Sequence, residues 1–197
     1  MTSISFAGYL IFAFVSSITP GPNNYILFSY GKNFGFRDSG RLMLGIFSGF
    51  FVMLMVSGYG VGELITANQS IGLVLKVISS VWLFYLAILM GKPSSEITPD
   101  TKSRIGFNQA FLFQFVNPKA WIMALTGASA FLPELNNLHL SVFLFAISFG
   151  VIGIPCMLSW IKFGELISTL LKSEKANRII GYILFVLMIL SIVMVWA

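Results

Sequence analysis

The sequence predicts an all-α membrane protein of six transmembrane helices, arranged as two inverted three-helix repeats with the first and fourth helices broken. Three observations carry this. Hydrophobic residues make up 57% of the 197-residue chain and charged residues 10%, against the ~25% charged residues of a soluble domain. Apolar runs long enough to span a bilayer recur six times. Proline-containing polar clusters interrupt the first and the fourth.

Each span needs ~20 mainly apolar residues. Runs of that kind cover roughly Phe6–Tyr30, Leu42–Leu64, Ile71–Met90, Phe107–Leu132, Leu140–Ile161 and Ile179–Trp196. Together they fill the chain and leave no room for a separate soluble domain. The mean hydropathy of +0.89 fits that plan. The first basic residue is Lys32, so no positive region precedes the first apolar run, which is expected to be retained as a span rather than cleaved as a signal peptide. A single cysteine, Cys156, permits no internal disulfide and no cysteine-based metal site. No cofactor and no metal is expected.

Charge sets the expected orientation. Lys32, Arg37 and Arg41 lie between spans one and two, Lys92, Lys102 and Arg104 between three and four, and Lys162, Lys172, Lys175 and Arg178 between five and six. The alternate connections hold Glu63, Glu134 and His139 but no Lys or Arg. Basic loops stay cytoplasmic, which places both termini outside the cytoplasm. The net charge of +5 then follows from topology and implies the lipid bilayer, not nucleic acid, as the partner. A homo-oligomer is left open.

The halves echo each other. Gly62-Glu63-Leu64-Ile65-Thr66 is matched 102 positions on by Gly164-Glu165-Leu166-Ile167-Ser168, and Thr19-Pro20 is matched 98 positions on by Asn117-Pro118. Gly45 and Gly49 find looser echoes in Gly150 and Gly153. The expected organisation is one transmembrane domain, with repeat one at about 1–91, a cytoplasmic linker at about 92–106 and repeat two at about 107–197. Three spans per half is an odd number, so the second half enters from the other side. Such inverted repeats are a common plan of secondary transporters.

The chemistry concentrates at the two breaks. The first is Thr19-Pro20-Gly21-Pro22-Asn23-Asn24, and the second is Gln114-Phe115-Val116-Asn117-Pro118-Lys119. Proline lacks an N–H and crowds the carbonyl four residues back. Backbone left unpaired in lipid is costly, so such breaks persist only where protein or a watery cavity supplies partners. Thr19-Pro20 and Asn117-Pro118 both read as an N-cap followed by the first residue of a new half-helix. Pro20 lies roughly 20 Å from the outer end of span one and Pro118 roughly 17 Å from the inner end of span four, both near the middle of a ~30 Å core. Inversion would make the two half-helices converge with their positive ends on one place, which suits an anion such as a carboxylate.

Lys119 adds a charge at that depth. A lysine there costs about 2.5–3.5 kcal/mol on insertion scales, which makes it a functional candidate. The other reading of the same residues is structural: Pro20, Pro22 and Pro118 as packing kinks, with Lys119 held by carbonyls. Asn23, Asn24 and Gln114 could serve a zwitterion or satisfy broken backbone. Lys76 is a secondary candidate whose stem could instead snorkel outward. Gly45 and Gly49 are expected to permit close helix packing, and His139 lies in a predicted loop.

At these residues the sequence resembles the LysE/RhtB superfamily of amino-acid exporters. The likeness rests on Thr19-Pro20-Gly21-Pro22-Asn23 and Asn117-Pro118-Lys119-Ala120, with Gly35-Phe36-Arg37 leading to Gly45, and Leu75-Lys76 followed by Tyr85-Leu86. It covers essentially the whole chain. Pro-Gly-Pro-Asn-Asn and Gln-Phe-Val-Asn are similar to the cysteine/O-acetylserine exporter branch. The resemblance implies export of a small amino acid or derivative from a bacterial inner membrane, driven by protons. Candidate substrate-binding residues are then Thr19, Pro20, Gly21, Pro22, Asn23, Asn24, Gln114, Asn117, Pro118 and Lys119, and no catalytic residue is expected. One departure stands out: many relatives carry an acid just after the glycine that matches Gly49, where this chain has Phe50 and Phe51. A membrane-embedded enzyme or a structural membrane subunit are the alternatives. The first lacks the usual acid/base, nucleophile and metal constellations.

Overall fold

The structure is a computed structural model that describes residues 3–60, 104–170 and 174–196, with isolated positions between 73 and 88. Lys76, Glu63, the third predicted span and the central linker fall outside the described residues or largely so. The described chain is all-helical: α1 Ser3–Ile18, α2 Pro22–Phe34, a 3-10 turn Arg37–Ser39, α3 Gly40–Gly58, α4 Phe107–Phe115, α5 Pro118–Phe131, α6 Leu138–Leu170 and α7 Glu174–Trp196.

Both predicted breaks are present. The first apolar run is divided between Ile18 and Pro22, and the fourth between Phe115 and Pro118. Two stretches among the described residues, Arg37–Gly58 and Leu138–Leu170, are long and apolar enough to cross a bilayer unbroken. The first break differs in register from the expectation. Gly21, not Thr19, is the N-cap of α2, and Pro22, not Pro20, occupies its first turn. Pro22 can take that place because its missing N–H would have had no intrahelical partner. At the second break Asn117 is the N-cap and Pro118 the first helical residue, as predicted. His139 sits in the first turn of α6 rather than in a loop.

Packing divides into two main apolar cores. Tyr9, Ala13, Met53, Leu54, Ala120, Ala124, Phe145, Ala146 and Phe149 join α1, α3, α5 and α6. Leu27, Tyr30, Leu42, Ile46, Ala110, Met157 and Ile161 join α2, α3, α4 and α6. Helices α3 and α6 therefore run through both cores, and each break falls where a chain passes from one core to the other. Glycines set the closest crossings. A Cβ on Gly31 would collide with the Ile161 carbonyl, and one on Gly164 with the Phe28 carbonyl, so α2 and α6 touch backbone to backbone. Gly45 and Gly49 likewise face the Phe107 and Phe111 carbonyls of α4.

At 33 residues, α6 is roughly 50 Å long, well beyond a ~30 Å hydrocarbon core. Its turns from Lys162 onward carry the charged side chains Lys162 and Glu165. There Glu165 Oε1 accepts the Phe36 N–H at 3.0 Å, Lys162 donates to Glu165 Oε2 at 2.7 Å, and Lys162 Nζ lies 4.3 Å from the Phe36 ring centroid. The Lys162 hydrogen bond, then the Phe36 N–H, hold the Glu165 carboxyl below its usual range. Arg104 pairs with Asp38 at 3.1 Å. These contacts fasten the α2–α3 connection to the ends of α4 and α6. Solvent screening keeps each exposed pair weak.

Candidate functional site

A broken helix strands carbonyls, and here protein side chains take them up. The Asn24 side-chain amide donates to the Ser17 and Thr19 carbonyls, each at 2.8 Å. Lys119 reaches across from the second break and donates to Thr19 at 2.5 Å and to Pro20 at 3.1 Å. The Trp160 indole donates to Ile18 at 3.1 Å, and the Trp121 indole to Phe115 at 2.9 Å. The Thr19 hydroxyl turns back to the Val15 carbonyl. The indole N–H groups of Trp121 and Trp160 thus serve the breaks.

The two breaks are thus in contact. The Lys119 stem lies across Gly21, where a Cβ would come within 2.6 Å of Lys119 Cδ, so this N-cap tolerates no larger residue while Lys119 keeps its place. An amide cluster makes the second link. Asn23 and Gln114 exchange hydrogen bonds at 2.8 and 3.0 Å, and Asn117 donates to Asn23 Oδ1 at 3.1 Å.

Beside these contacts lies a cavity of about 60 Å³, room for a few water molecules. Its polar wall comes from Ser16, Ser17, Asn23, Asn24, Asn117 and Lys119, and its apolar wall includes Phe47, Phe50, Met123, Phe149 and Met157. Asn23 and Asn24 open α2, and Lys119 and Ala120 open α5. All four line the cavity, and neither helix start carries a side-chain cap. Two positive helix ends therefore meet at one place, with a lysine between them. No carboxylate lines it among the described residues. Phe50, one of the two phenylalanines that follow Gly49, is part of the wall.

Of the residues singled out from the sequence, Gly21, Pro22, Asn23, Asn24, Asn117 and Lys119 line this cavity. Thr19 and Pro20 stand behind it as acceptors for Lys119, Gln114 is fully buried behind Asn23, and Pro118 is buried at the start of α5. Lys76 lies outside the described residues. Missed from the sequence were Ser16, Ser17 and the apolar wall. Phenylalanines and methionines in spans look alike whether they face lipid, core or a cavity. Gly150 and Gly153, noted as echoes of Gly45 and Gly49, line the cavity as well.

The LysE type translocator family model matches residues 14–194. Among curated relatives, the cysteine/O-acetylserine efflux protein of Klebsiella pneumoniae subsp. pneumoniae is 26% identical, over 86% of this chain and 87% of its own. The protein of the same name in Salmonella typhimurium is 28% identical over 84% and 85%. That of Escherichia coli O6:K15:H31 is 29% identical over 87% and 88%. No solved structure matches the chain significantly.

Proposed function

Because the chain belongs to the LysE-type translocator family, and so is a membrane transporter and not an enzyme, we propose that it exports a small neutral amino acid or derivative across the bacterial inner membrane. Cysteine, O-acetylserine, homoserine and threonine-like compounds are the substrate range. The relatives' names favour the first two. The observation that carries this reading is the meeting of two uncapped helix starts and Lys119 at one cavity.

In this reading the substrate carboxylate lies against the N–H groups that open α2 and α5, with Lys119 as counter-charge. The other candidate residues hold this geometry: Asn24, Thr19 and Pro20 around the first break, and Gln114, Asn117 and Pro118 around the second. The apolar wall takes the side chain. Lys76 remains a secondary candidate.

The chain is proposed to form one transmembrane domain of six spans in two inverted repeats, at about 1–91 and 107–197. Helix packing supports the inversion. Helix α3 of the first half packs against both pieces of the second broken helix, and α6 of the second half against both pieces of the first. The three basic connections are cytoplasmic and both termini periplasmic. The two apolar cores then close opposite sides of the cavity, and loosening one while keeping the other gives alternating access. Proton antiport drives the cycle. Lys119 is the ionisable side chain lining the cavity among the described residues, which makes it the group available to exchange a proton.

Uptake of labelled amino acids into inverted membrane vesicles, with and without a proton gradient, tests this. Gradient-dependent uptake of cysteine or O-acetylserine is expected, with loss of uptake in Lys119→Ala. Full transport by a well-inserted Lys119→Ala protein would refute the site.

A further inference from the structure

One polar atom at the second break has no partner. Asn117 is 1% exposed and lines the cavity, yet its Oδ1 is buried without a hydrogen bond. Buried acceptors are rarely left unused, since an unmade hydrogen bond is costly.

The orientation of this amide is fixed by a chain of three others. Gln114 Nε2 donates to the Ala110 carbonyl one turn back at 3.2 Å. A carbonyl only accepts, so the nitrogen end of Gln114 is set. Gln114 Oε1 must then accept from Asn23 Nδ2, and Gln114 Nε2 must donate to Asn23 Oδ1. Asn23 therefore presents an oxygen to Asn117, which can meet it only with Nδ2, at 3.1 Å. The donor end of Asn117 is committed and the acceptor end is left over. Turning Asn117 over would set two oxygens against each other. Turning the whole chain over would set the Gln114 oxygen against the Ala110 carbonyl.

We propose that Asn117 Oδ1 accepts the substrate's ammonium group, and that the relay from Ala110 through Gln114 and Asn23 holds it in that orientation. This rests on the reading that a small amino acid binds between the breaks. Two further facts support it. No carboxylate lines the cavity among the described residues, so an ammonium there is met by neutral acceptors. The carbonyls of Ser17, Ile18, Thr19 and Pro20 already carry side-chain donors. A neutral acceptor also suits a zwitterion, because the charges of carboxylate and ammonium cancel within the ligand and Lys119 faces only one of them. Asn117 is then a specificity residue that selects for an amine. Gln114, which does not line the cavity, is a positioning residue.

The test compares probes that differ in one group. L-Cysteine and 3-mercaptopropionate share carboxylate and thiol, and only the first has an α-amine. Their Kd values would be measured on the purified full-length protein in lipid nanodiscs, under reducing conditions, alongside O-acetyl-L-serine. The wild type is expected to bind cysteine about 10- to 100-fold more tightly than 3-mercaptopropionate, as suits a hydrogen bond to a charged group. In Asn117→Leu that preference should shrink to within about 3-fold through weaker cysteine binding. In Gln114→Leu, which frees Asn23 and Asn117 to turn over, it should narrow to an intermediate value. An unchanged preference in Asn117→Leu, or no amine preference in the wild type, would overturn the assignment. Should Asn117→Leu fail to fold, Gln114→Leu decides: a narrowed preference supports the relay and an unchanged one overturns it. If the wild type binds neither cysteine nor O-acetylserine, the reading of the site falls and this assignment falls with it. If it binds them without regard to the amine, only this assignment falls.

Discussion

Asn24 offers a sharp test of how the first break is held. The residue is 6% exposed, and its side chain donates to the Ser17 and Thr19 carbonyls at 2.8 Å each. Asn24→Leu keeps the approximate size and removes both donors. The Thr19 carbonyl keeps Lys119, so its loss is a single net hydrogen bond of about 1 kcal/mol. The Ser17 carbonyl loses its side-chain donor, at about 1–3 kcal/mol for an unsatisfied buried acceptor. The variant should therefore be destabilised by about 2–4 kcal/mol. Asn24→Asp is nearer in shape but points an ionised carboxylate at two carbonyl oxygens, so at neutral pH it should be less stable than Asn24→Leu. Reversible unfolding in mixed micelles, followed by tryptophan fluorescence, gives both values. Wild-type stability in Asn24→Leu, or an Asn24→Asp protein at least as stable as Asn24→Leu, would refute this account of the break.

Gly31→Ala and Gly164→Ala each place a Cβ against backbone across the α2–α6 crossing. Each should cost about 1–3 kcal/mol or more, as overpacking does, measured by the same unfolding assay. Trp160→Phe removes the donor to the Ile18 carbonyl and should cost about 1–3 kcal/mol, and retained stability would show that the carbonyl finds another partner. Glu165 contributes through a carboxyl held below its usual range. A depressed carboxyl stabilises the fold above the unfolded-state value of ~4.3 and loses that contribution as pH falls through the lower folded-state value. Melting profiles across pH 3–6 should show this acid-side loss diminished in Glu165→Gln.

The breaks were legible in the sequence because their signals are local. Three prolines and a row of small amides inside apolar runs have few other meanings in lipid, and Asn117-Pro118 appears as written. The first break was misplaced by two residues because Thr19-Pro20 and Gly21-Pro22 both read as an N-cap followed by proline. What separates them is Lys119, which takes the Thr19 and Pro20 carbonyls and lies across Gly21. That contact joins residues about a hundred positions apart, so no local signal could decide it.

The same limit applies to the amides. Asn23, Asn24 and Gln114 looked equivalent in the sequence. In the structure Asn24 satisfies broken backbone, Gln114 anchors to Ala110, and Asn23 passes that orientation to Asn117. The residue with an acceptor to spare was visible only once all four were seen together. Trp121 lies inside the fourth predicted span, and its indole takes up the stranded Phe115 carbonyl, so a polar N–H within an apolar run was itself a signal. The apolar wall carries no such signal.

The central claim is that substrate binds between the two breaks. Its most direct test is substrate protection at Ser17, which lines the cavity. Ser17→Cys would be labelled in membranes with a small thiol reagent, in a Cys156→Ala background, with Ser168→Cys on an exposed turn of α6 as the control. Saturating O-acetylserine should slow labelling at position 17 with a concentration dependence that matches transport, and leave position 168 unaffected. Equal labelling at position 17 with and without O-acetylserine, in protein that transports it, would contradict the account.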